Sequence, residues 1–561
     1  MAGELIGLAI TDKGVAALLE PGTTGRVVDI REVARIEAED SPRWVWWNKS
    51  TARQLVEANI RPGRCWDLSA THRLIFGGGN SGPEQIWALL HELDATTIPT
   101  RAPVNLFSQA VDSGDPDEPV GPDGYLRPEW VEGEWRNTAH RALRWAELAV
   151  VAQQLQVPLV HSEATVFSES ACELLCAEME VDGLPFELGV GESIVAGFVG
   201  PRPTTAGEAN TELARRDAEV LQHLPAGSTF DLRSPDQVKS LLRRVGIEVP
   251  DTRAWRLEAL RDAHPIVEPL MAWRRAERIL TTFGFQWIDD NIAANLSGHS
   301  RLQGSWSGSD GAAGRMTATV GLHNMPAELR PAIAAEPGHV FVRADLGQIE
   351  PRILAAVAGD PKLAAASQED DMYAPVATQL RVERDIAKVA VLGAMYGQTT
   401  GKGAEALRGL EREYPIAMGF LAAADRSAQG SHDLRTYGGR LVRMGSTNSN
   451  EVSERDARSQ AAARGRYGRN AMVQGAAAEF FKTWAVLMRA RGRTLDAQIV
   501  LCLHDEVLIH VPEQNGPDAA ALLDRCLQEA AHRWAPRDQA GNQPVRFVSD
   551  TSIIRRWSEA K

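Results

Sequence analysis

The sequence predicts a multidomain protein of mixed class, α/β at its start and α+β towards its end. Three observations carry this expectation. At 561 residues the chain exceeds what one hydrophobic core serves, and it fits about three domains or lobes. Residues 1–160 alternate short apolar strands with amphipathic helical stretches. From residue 300 onward the texture changes to short strands, Gly-rich turns and Arg-bearing helices.

Along the chain, LIGLAIT and VAALLE are apolar runs split by Asp-Lys-Gly, the turn chemistry of a β-hairpin. Helical periodicity follows in TARQLVEANI and EQIWALLHELDA. Residues 110–125, dense in Gly, Pro and Asp, read as a loop. Helical patterns resume near 137 and run to 290, broken near 200–207 and 224–236. No internal repeat or low-complexity tract is evident.

With 44% hydrophobic and 24% charged residues, the composition is that of an ordinary soluble globular chain. The N-terminus MAGELIGLAITDKG lacks a basic region followed by a long apolar run. No apolar stretch reaches about 18 residues. The expectation is a cytoplasmic protein without signal peptide or membrane span. Cys65, Cys502 and Cys526 are isolated, and Cys172 and Cys176 sit at helical i,i+4 spacing without the CxxC or HxxxH of a zinc site. They read as buried helix positions.

The net charge of −14 argues at face value against nucleic acid, but phosphate binding follows local patches. Arg435, Arg440, Arg443, Arg455, Arg458, Arg464, Arg466 and Arg469 form one such patch, with few acids among them. A solvated arginine-rich surface accounts for it equally well.

Three segments carry chemistry. In VFVRADLGQIEPRILAAVAGD a β-rich run ends in Asp345 before a helix, which suits a carboxylate for a divalent cation, although an Asp so placed is commonly a plain helix cap. Pro351 fits the first helical turn. In RDIAKVAVLGAMYG, Arg384, Lys388 and Leu392 recur every four residues, drifting about 40° per step, with Tyr396 a turn further. Two cations on one helix face can grip a triphosphate, and Gly393 and Gly397 leave room for a flat partner. A plain amphipathic helix fits too, although glycine costs about 1 kcal/mol in a helix interior. In AQIVLCLHDEVLIHVP two apolar strands flank His504, Asp505 and Glu506, and a carboxylate there would complete a two-metal site with Asp345.

In this order the three segments resemble motifs A, B and C of family A DNA polymerases. DLGQIEPRI is similar to DYSQIELRI, the R-x3-K-x7-Y-G pattern falls on Arg384, Lys388, Tyr396 and Gly397, and LHDEV is similar to VHDEL. AGRMTATVGLHNMP, TYGGRLV and RGRYGRNAMVQGAAAEFF also resemble family segments, as do FDLRSPDQVKSLLRRVGIEVP and LMAWRRAERILTTF of the thumb.

The resemblance implies an RNase H-like 3′→5′ exonuclease-type domain at 1–160 and connecting helices and thumb at 161–300. Palm would follow at 301–365, fingers at 366–440 and palm again at 441–561. It implies a monomeric DNA polymerase of replication and repair, cytoplasmic and nucleoid-associated, binding primer–template DNA and dNTPs. Asp345 and Asp505 would hold two Mg²⁺ ions, for which Mn²⁺ can substitute, with Glu506 auxiliary. Arg384, Lys388 and Gln348 would bind the incoming nucleotide, with Lys388 protonating pyrophosphate. Leu392 and Tyr396 would sit at the nascent pair, and Glu350 would exclude a 2′-hydroxyl. Arg315, Asn324, Arg466, Asn470, Gln474 and His504 would contact DNA, several of them at the nearly sequence-blind minor groove. Leu392 stands where the family usually has Phe or Tyr. Gly347 and Pro351 replace Ser and Leu, an expected loosening of the sugar pocket, and Tyr373 stands near a usual His.

Residues 1–160 resemble the exonuclease domain most in NKSTARQLVEANIRPGRCWDLSATHRLI. No Asp-x-Glu occurs there, Ala52 stands at an expected metal carboxylate, and Tyr125 is followed by Glu129 where Asp is required. Asp67 matches a helix residue of the family. The expectation is a remnant without hydrolytic carboxylates, and no 5′-nuclease domain. Three alternatives stay open: residual exonuclease activity, a polymerase with relaxed sugar selection like phage-type RNA polymerases, and a non-catalytic DNA-binding scaffold.

Overall fold

The computed structural model describes residues 5–20, 22–101, 114–225, 227–295, 298–397, 403–445, 454–534 and 544–560. Residues 110–113 of the loop expected at 110–125 lie outside them. The chain folds as two compact units: Met1–Gly183 with Ser305–Thr319 and Gly338–Ile554, and Leu184–Gly304 with Val320–Pro337 and Arg555–Lys561. Among the described residues no helix is long and apolar enough to cross a membrane.

The first unit opens with the expected hairpin, β1 (Leu5–Ile10) against β2 (Val15–Leu19), with Gly7 opposite Leu19. A third strand, β3 (Arg26–Asp29), pairs antiparallel with β2. After helix α1 (Ile30–Asp40), β4 (Arg43–Trp46) joins parallel to β1. After α2 (Lys49–Glu57), β5 (Arg64–Asp67) completes the order β3-β2-β1-β4-β5. Parallel pairing with helical crossovers buries both faces, and Trp44, Val45 and Trp46 are fully buried. Helix α3 (Leu68–Phe76) follows, and α4 (Ala139–Gln156) lies on the sheet so closely that a side chain at Gly7 would meet Val150 Cγ2 at 2.5 Å. Trp47 stacks on Trp145 with centroids 4.8 Å apart.

Helix α5 (Glu163–Asp182) is the polar spine of this unit. Cys172 and Cys176 are fully buried in it, as their spacing implies. Four of its carboxylates are buried as well, at 2–6% exposure: Glu169, Glu173, Glu178 and Glu180. Each meets a cation: Glu169 meets Lys482 at 2.8 Å and Arg440 at 2.6 Å, Glu178 meets Arg489 at 2.7 Å, and Glu180 meets Lys49 at 2.6 Å. Glu173 pairs with Arg73. Burial pushes Glu169 up, but Arg440 and Lys482 outweigh it and hold the carboxyl below its ordinary range.

The same unit holds a second, antiparallel sheet. Its strands are β6 (His339–Leu346), β7 (Gln498–Leu503), β8 (Glu506–Pro512) and β9 (Ser549–Ile554), in the order β7-β8-β6-β9. Helix α6 (Ile349–Ala358) follows β6, and α7 (Arg384–Tyr396) ends at Gly397, a left-handed cap at φ 68°. Gly397 is therefore a terminator, and only Gly393 lies in the helix interior. A side chain at Gly397 would meet Arg466 Cγ at 2.6 Å, so the space expected for a flat partner is filled by Arg466 at that position. Helix α8 (Glu454–Arg491) carries Arg466, Asn470 and Gln474 at i, i+4 and i+8. Helix α9 (Gly516–Trp534) packs on α8, where Trp484 Nε1 donates to Leu523 O at 3.0 Å.

The second unit is mainly helical, with Val267–Phe283 its longest helix and a small sheet of Leu184–Pro185, Ile292–Ala294 and Ser300–Leu302. Val220, Leu241, Leu257, Leu270 and Trp273 form its core.

Removing one partner of a buried ion pair strands the other charge. Glu169→Ala leaves Arg440 and Lys482 without it, and we expect the unfolding free energy of the first unit to fall by about 3–5 kcal/mol. Urea denaturation followed by tryptophan fluorescence measures this, and a loss under about 1 kcal/mol contradicts the assignment.

Candidate active site

Strand register builds the site. Asp345, near the end of β6, lies opposite Glu506 at the start of β8 and opposite Asp550 on β9. The β7–β8 hairpin turns through His504 and Asp505, with His504 in the left-handed region at φ 55°. Leu346 N donates to Asp505 O at 3.0 Å, tying this turn to the end of β6. Asp345 does not cap the helix that follows; Gln348 occupies that position.

The charges respond to one another. Burial and then Asp505 push Asp345 up to about 6, with Glu506 and Asp550 adding to the effect and Arg343 opposing it. Burial also raises Asp505, helped by Glu506 and Glu350. Arg343, buried on β6, donates to Asp345 Oδ2 at 3.0 Å and to Glu506 Oε2 at 2.8 Å. Clustered carboxylates disfavour one another's ionisation, and hard divalent cations such as Mg²⁺ and Mn²⁺ prefer such an all-oxygen donor set.

A cleft of about 250 Å³ opens beside these residues, lined among others by Arg315, Glu350, Tyr396, Gln474, His504 and Asp505. The Tyr396 hydroxyl donates to both Glu350 oxygens at 3.0 Å, and Gln474 Nε2 donates to Glu350 Oε1 at 3.4 Å. Burial and then the Glu350 carboxylate raise the Tyr396 phenol. Arg315 Nε donates to Asp310 Oδ2 at 3.3 Å. Lys388 is exposed on α7 and Leu392 is half-buried. Asn470 is half-buried on α8, and Asn324 belongs to the second unit, where Arg278 donates to its carbonyl at 2.8 Å.

Arg384 carries a partner that sequence reasoning missed. Its Nε donates to Asp371 Oδ2 at 2.6 Å, and this hydrogen bond holds the Asp371 carboxyl below its ordinary range. Gln348 reads the same carboxylate, donating to Asp371 Oδ1 at 2.7 Å and accepting from Met372 N at 2.8 Å. These bonds hold Gln348 in a left-handed conformation, φ 53°, that a non-glycine residue rarely adopts. Arg352, fully buried, donates to the carbonyls of Gly347 at 3.0 Å, Glu369 at 2.8 Å and Asp370 at 2.9 Å, fixing the loop that bears Asp371. Arg352 falls within the DLGQIEPRI segment, but nothing in the sequence pattern marks Asp371 or the carbonyls that Arg352 gathers, because the fold alone brings them together.

Three expectations are refined. A side chain at Gly347 would meet Val548 Cγ2 at 2.9 Å, and Gly347 N donates to Val548 O at 2.9 Å. Glycine here lets the turn close on Val548. Ala52 is fully buried in an apolar core with Leu8, Ile10 and Leu55, so a carboxylate at this position would be buried in that core. Asp67 ends β5 and caps α3, accepting from Ala70 N at 2.8 Å and Trp46 Nε1 at 2.9 Å, which places it at the N-terminal end of that helix.

The folded protein holds Asp345 protonated up to about pH 6, whereas an unfolded chain ionises Asp near ~3.9. Its contribution to stability is present below pH ~4 and is lost as pH rises towards 6. Asp345→Asn should therefore raise the Tm of chelator-treated protein at pH 7.5, by ~2 °C or more, and change it little at pH 4. Equal shifts at both pH values, read by calorimetry, contradict the charge cluster.

The family model described as DNA polymerase family A matches residues 204–558. A thermostable DNA polymerase I of Thermus caldophilus is 26% identical over 456 residues, covering 73% of this chain and 51% of that protein. DNA polymerase I of Deinococcus radiodurans is 25% identical over 474 residues, 77% of this chain and 46% of its own length. The chain thus spans about half the length of these curated relatives. A solved structure, the POL domain of Pol1 from M. smegmatis in complex with DNA primer-template and dNTP, superposes with a TM-score of 0.68 at 20% identity. It covers 100% of this chain and 96% of that one, a likeness of fold. With its family model matched over residues 204–558 and its fold that of a Pol1 polymerase domain, the chain belongs to DNA polymerase family A.

Proposed function

We propose that this protein extends a primer 3′ end with deoxynucleotides under the direction of a DNA template, by phosphoryl transfer at the Asp345–Asp505 cluster. The observation that carries this reading is the strand register that sets Asp345 beside Glu506 with Asp505 at the adjoining turn. Primer–template and dNTP are the partners in the M. smegmatis complex of the same fold, which supports the same partner classes here.

In this reading β6–β9 and α8 form the palm, α7 lies in the fingers and the second unit includes the thumb. Residues 1–160 are an exonuclease-type domain retained as scaffold. Asp345 and Asp505 would hold two divalent cations, for which their carboxylate oxygens are suited, with Glu506 alongside. When bound, such ions supply activation of the attacking hydroxyl and neutralisation of the leaving pyrophosphate. Lys388, exposed one turn beyond Arg384, would bind phosphate oxygens and return a proton to the leaving group. Arg384 is delivered by Asp371, which sets its guanidinium before nucleotide arrives. Glu350, clamped by Tyr396 and Gln474, would fill the space a 2′-hydroxyl needs. Arg315, Gln474 and His504 line the cleft for the primer–template minor groove, with Asn470 and Arg466 along α8 and Asn324 as further DNA contacts.

The clamped Glu350 favours deoxynucleotides over the ribonucleotide reading. Primer extension on a gapped template tests the whole. Asp505→Asn should cut extension by about 100-fold or more with duplex binding retained, and a wild type that binds DNA without extending it leaves the scaffold reading standing. Glu350→Ala should raise ribonucleotide insertion by about tenfold or more; unchanged sugar selection contradicts the steric role. With Mg²⁺ or Mn²⁺ and no dNTPs, a labelled single strand should keep its 3′ end, and shortening that survives repurification contradicts the remnant reading.

A further inference from the structure

The carboxylate row across β8, β6 and β9 contains a cation of its own. Register aligns Glu506, Asp345 and Asp550 side by side on adjacent strands, where directly opposed like charges are destabilising. Arg343, two residues before Asp345, projects from the same face of the sheet. Its side chain is 7% exposed, and its guanidinium reaches all three: Asp345 at 3.0 Å, Glu506 at 2.8 Å and Asp550 at 3.3 Å. Among the described residues it is the one cation that ion-pairs with Asp345. Arginine does not lose its proton in proteins, so this charge stays at every working pH.

We infer that Arg343 is a resident counter-cation of the carboxylate site, which a divalent metal ion must displace from Asp345 in order to bind. The inference rests on the two-ion reading above and adds to it a residue that sets metal affinity. In the metal-free protein Arg343 holds the opposed carboxylates together; on metal loading it yields Asp345 and keeps Glu506 and Asp550 as acceptors. It is a positioning residue and touches no substrate. Two consequences follow from Coulomb's law. Taking away a positive charge beside the site strengthens attraction for an incoming dication, and it leaves the metal-free carboxylates repelling one another without relief.

Mn²⁺ titration followed by electron paramagnetic resonance tests this on the full chain at pH 7.5, free of DNA and nucleotide. Arg343→Met should bind Mn²⁺ about tenfold more tightly than wild type. Its Tm should be lower than wild type in chelator and should rise by more when Mn²⁺ is added, a gain that a merely structural arginine would not produce. Arg343→Lys keeps a charge but cannot fork across three carboxylates, and it should tighten Mn²⁺ binding by about two- to fivefold. If Arg343→Met does not fold, the lysine variant decides alone, and unchanged affinity there overturns the proposal. Wild-type Mn²⁺ binding that neither variant tightens overturns this inference and leaves the two-ion reading intact. No Mn²⁺ binding in wild type or variants overturns both.

Discussion

Like charges held together by strand register are the constraint on which this site depends. The register is set by the whole length of the strands, so once β6 sits between β8 and β9 the carboxylates at 345, 506 and 550 must be neighbours, at a cost in repulsion. The fold forms despite that repulsion because the strands around them are buried and apolar: Phe341, Val342 and Ala344 on β6, Val507, Leu508 and Ile509 on β8. Hydrophobic burial holds the backbone in place, and the backbone holds the carboxylates where they repel. A site prepared in this way attracts cations before any substrate arrives, which is the form of preorganisation that phosphoryl transfer uses.

Around this site a second electrostatic device works in the opposite sense. Helix α5 carries four buried carboxylates, each matched to a cation from a distant part of the chain, from Lys49 near the start to Arg489 at the end of α8. Buried pairs of this kind contribute little net stability against apolar packing, but breaking one is costly, so they define which surfaces fit together. The turn after β6 follows the same logic on a smaller scale. Arg352 satisfies carbonyls, the carbonyls fix Asp371, and Asp371 orients Arg384.

Much of this was legible from the residues. The Asp-Lys-Gly hairpin, the helical run from 137 to 290 and the strand that bears Asp345 announce themselves through periodicity and turn chemistry, which are local signals. The motif segments around Asp345, Arg384 and Asp505 are short yet ordered, and the structure brings Glu350, Tyr396, Gln474, His504 and Asp505 to one cleft. What was not legible depends on contacts between distant positions. Arg343 shows its role only once β8 and β9 supply its partners, as Asp371 does once Arg384 and Gln348 reach it and Glu169 does once Arg440 and Lys482 are set against it. Gly347 shows a packing reason for glycine only once Val548 is set against it. Ala52 likewise shows its surroundings only in the fold, where it is fully buried.

Phosphoryl transfer at this site requires that residues 345 and 505 share cations. Crystals grown with primer–template, a chain-terminated primer, dNTP and Mn²⁺, with data collected near the manganese edge, measure this directly. Two anomalous peaks about 3.5–4 Å apart, both bonded to Asp345 and Asp505, are the predicted result. Peaks elsewhere, or none between these carboxylates with nucleotide in place, would contradict it.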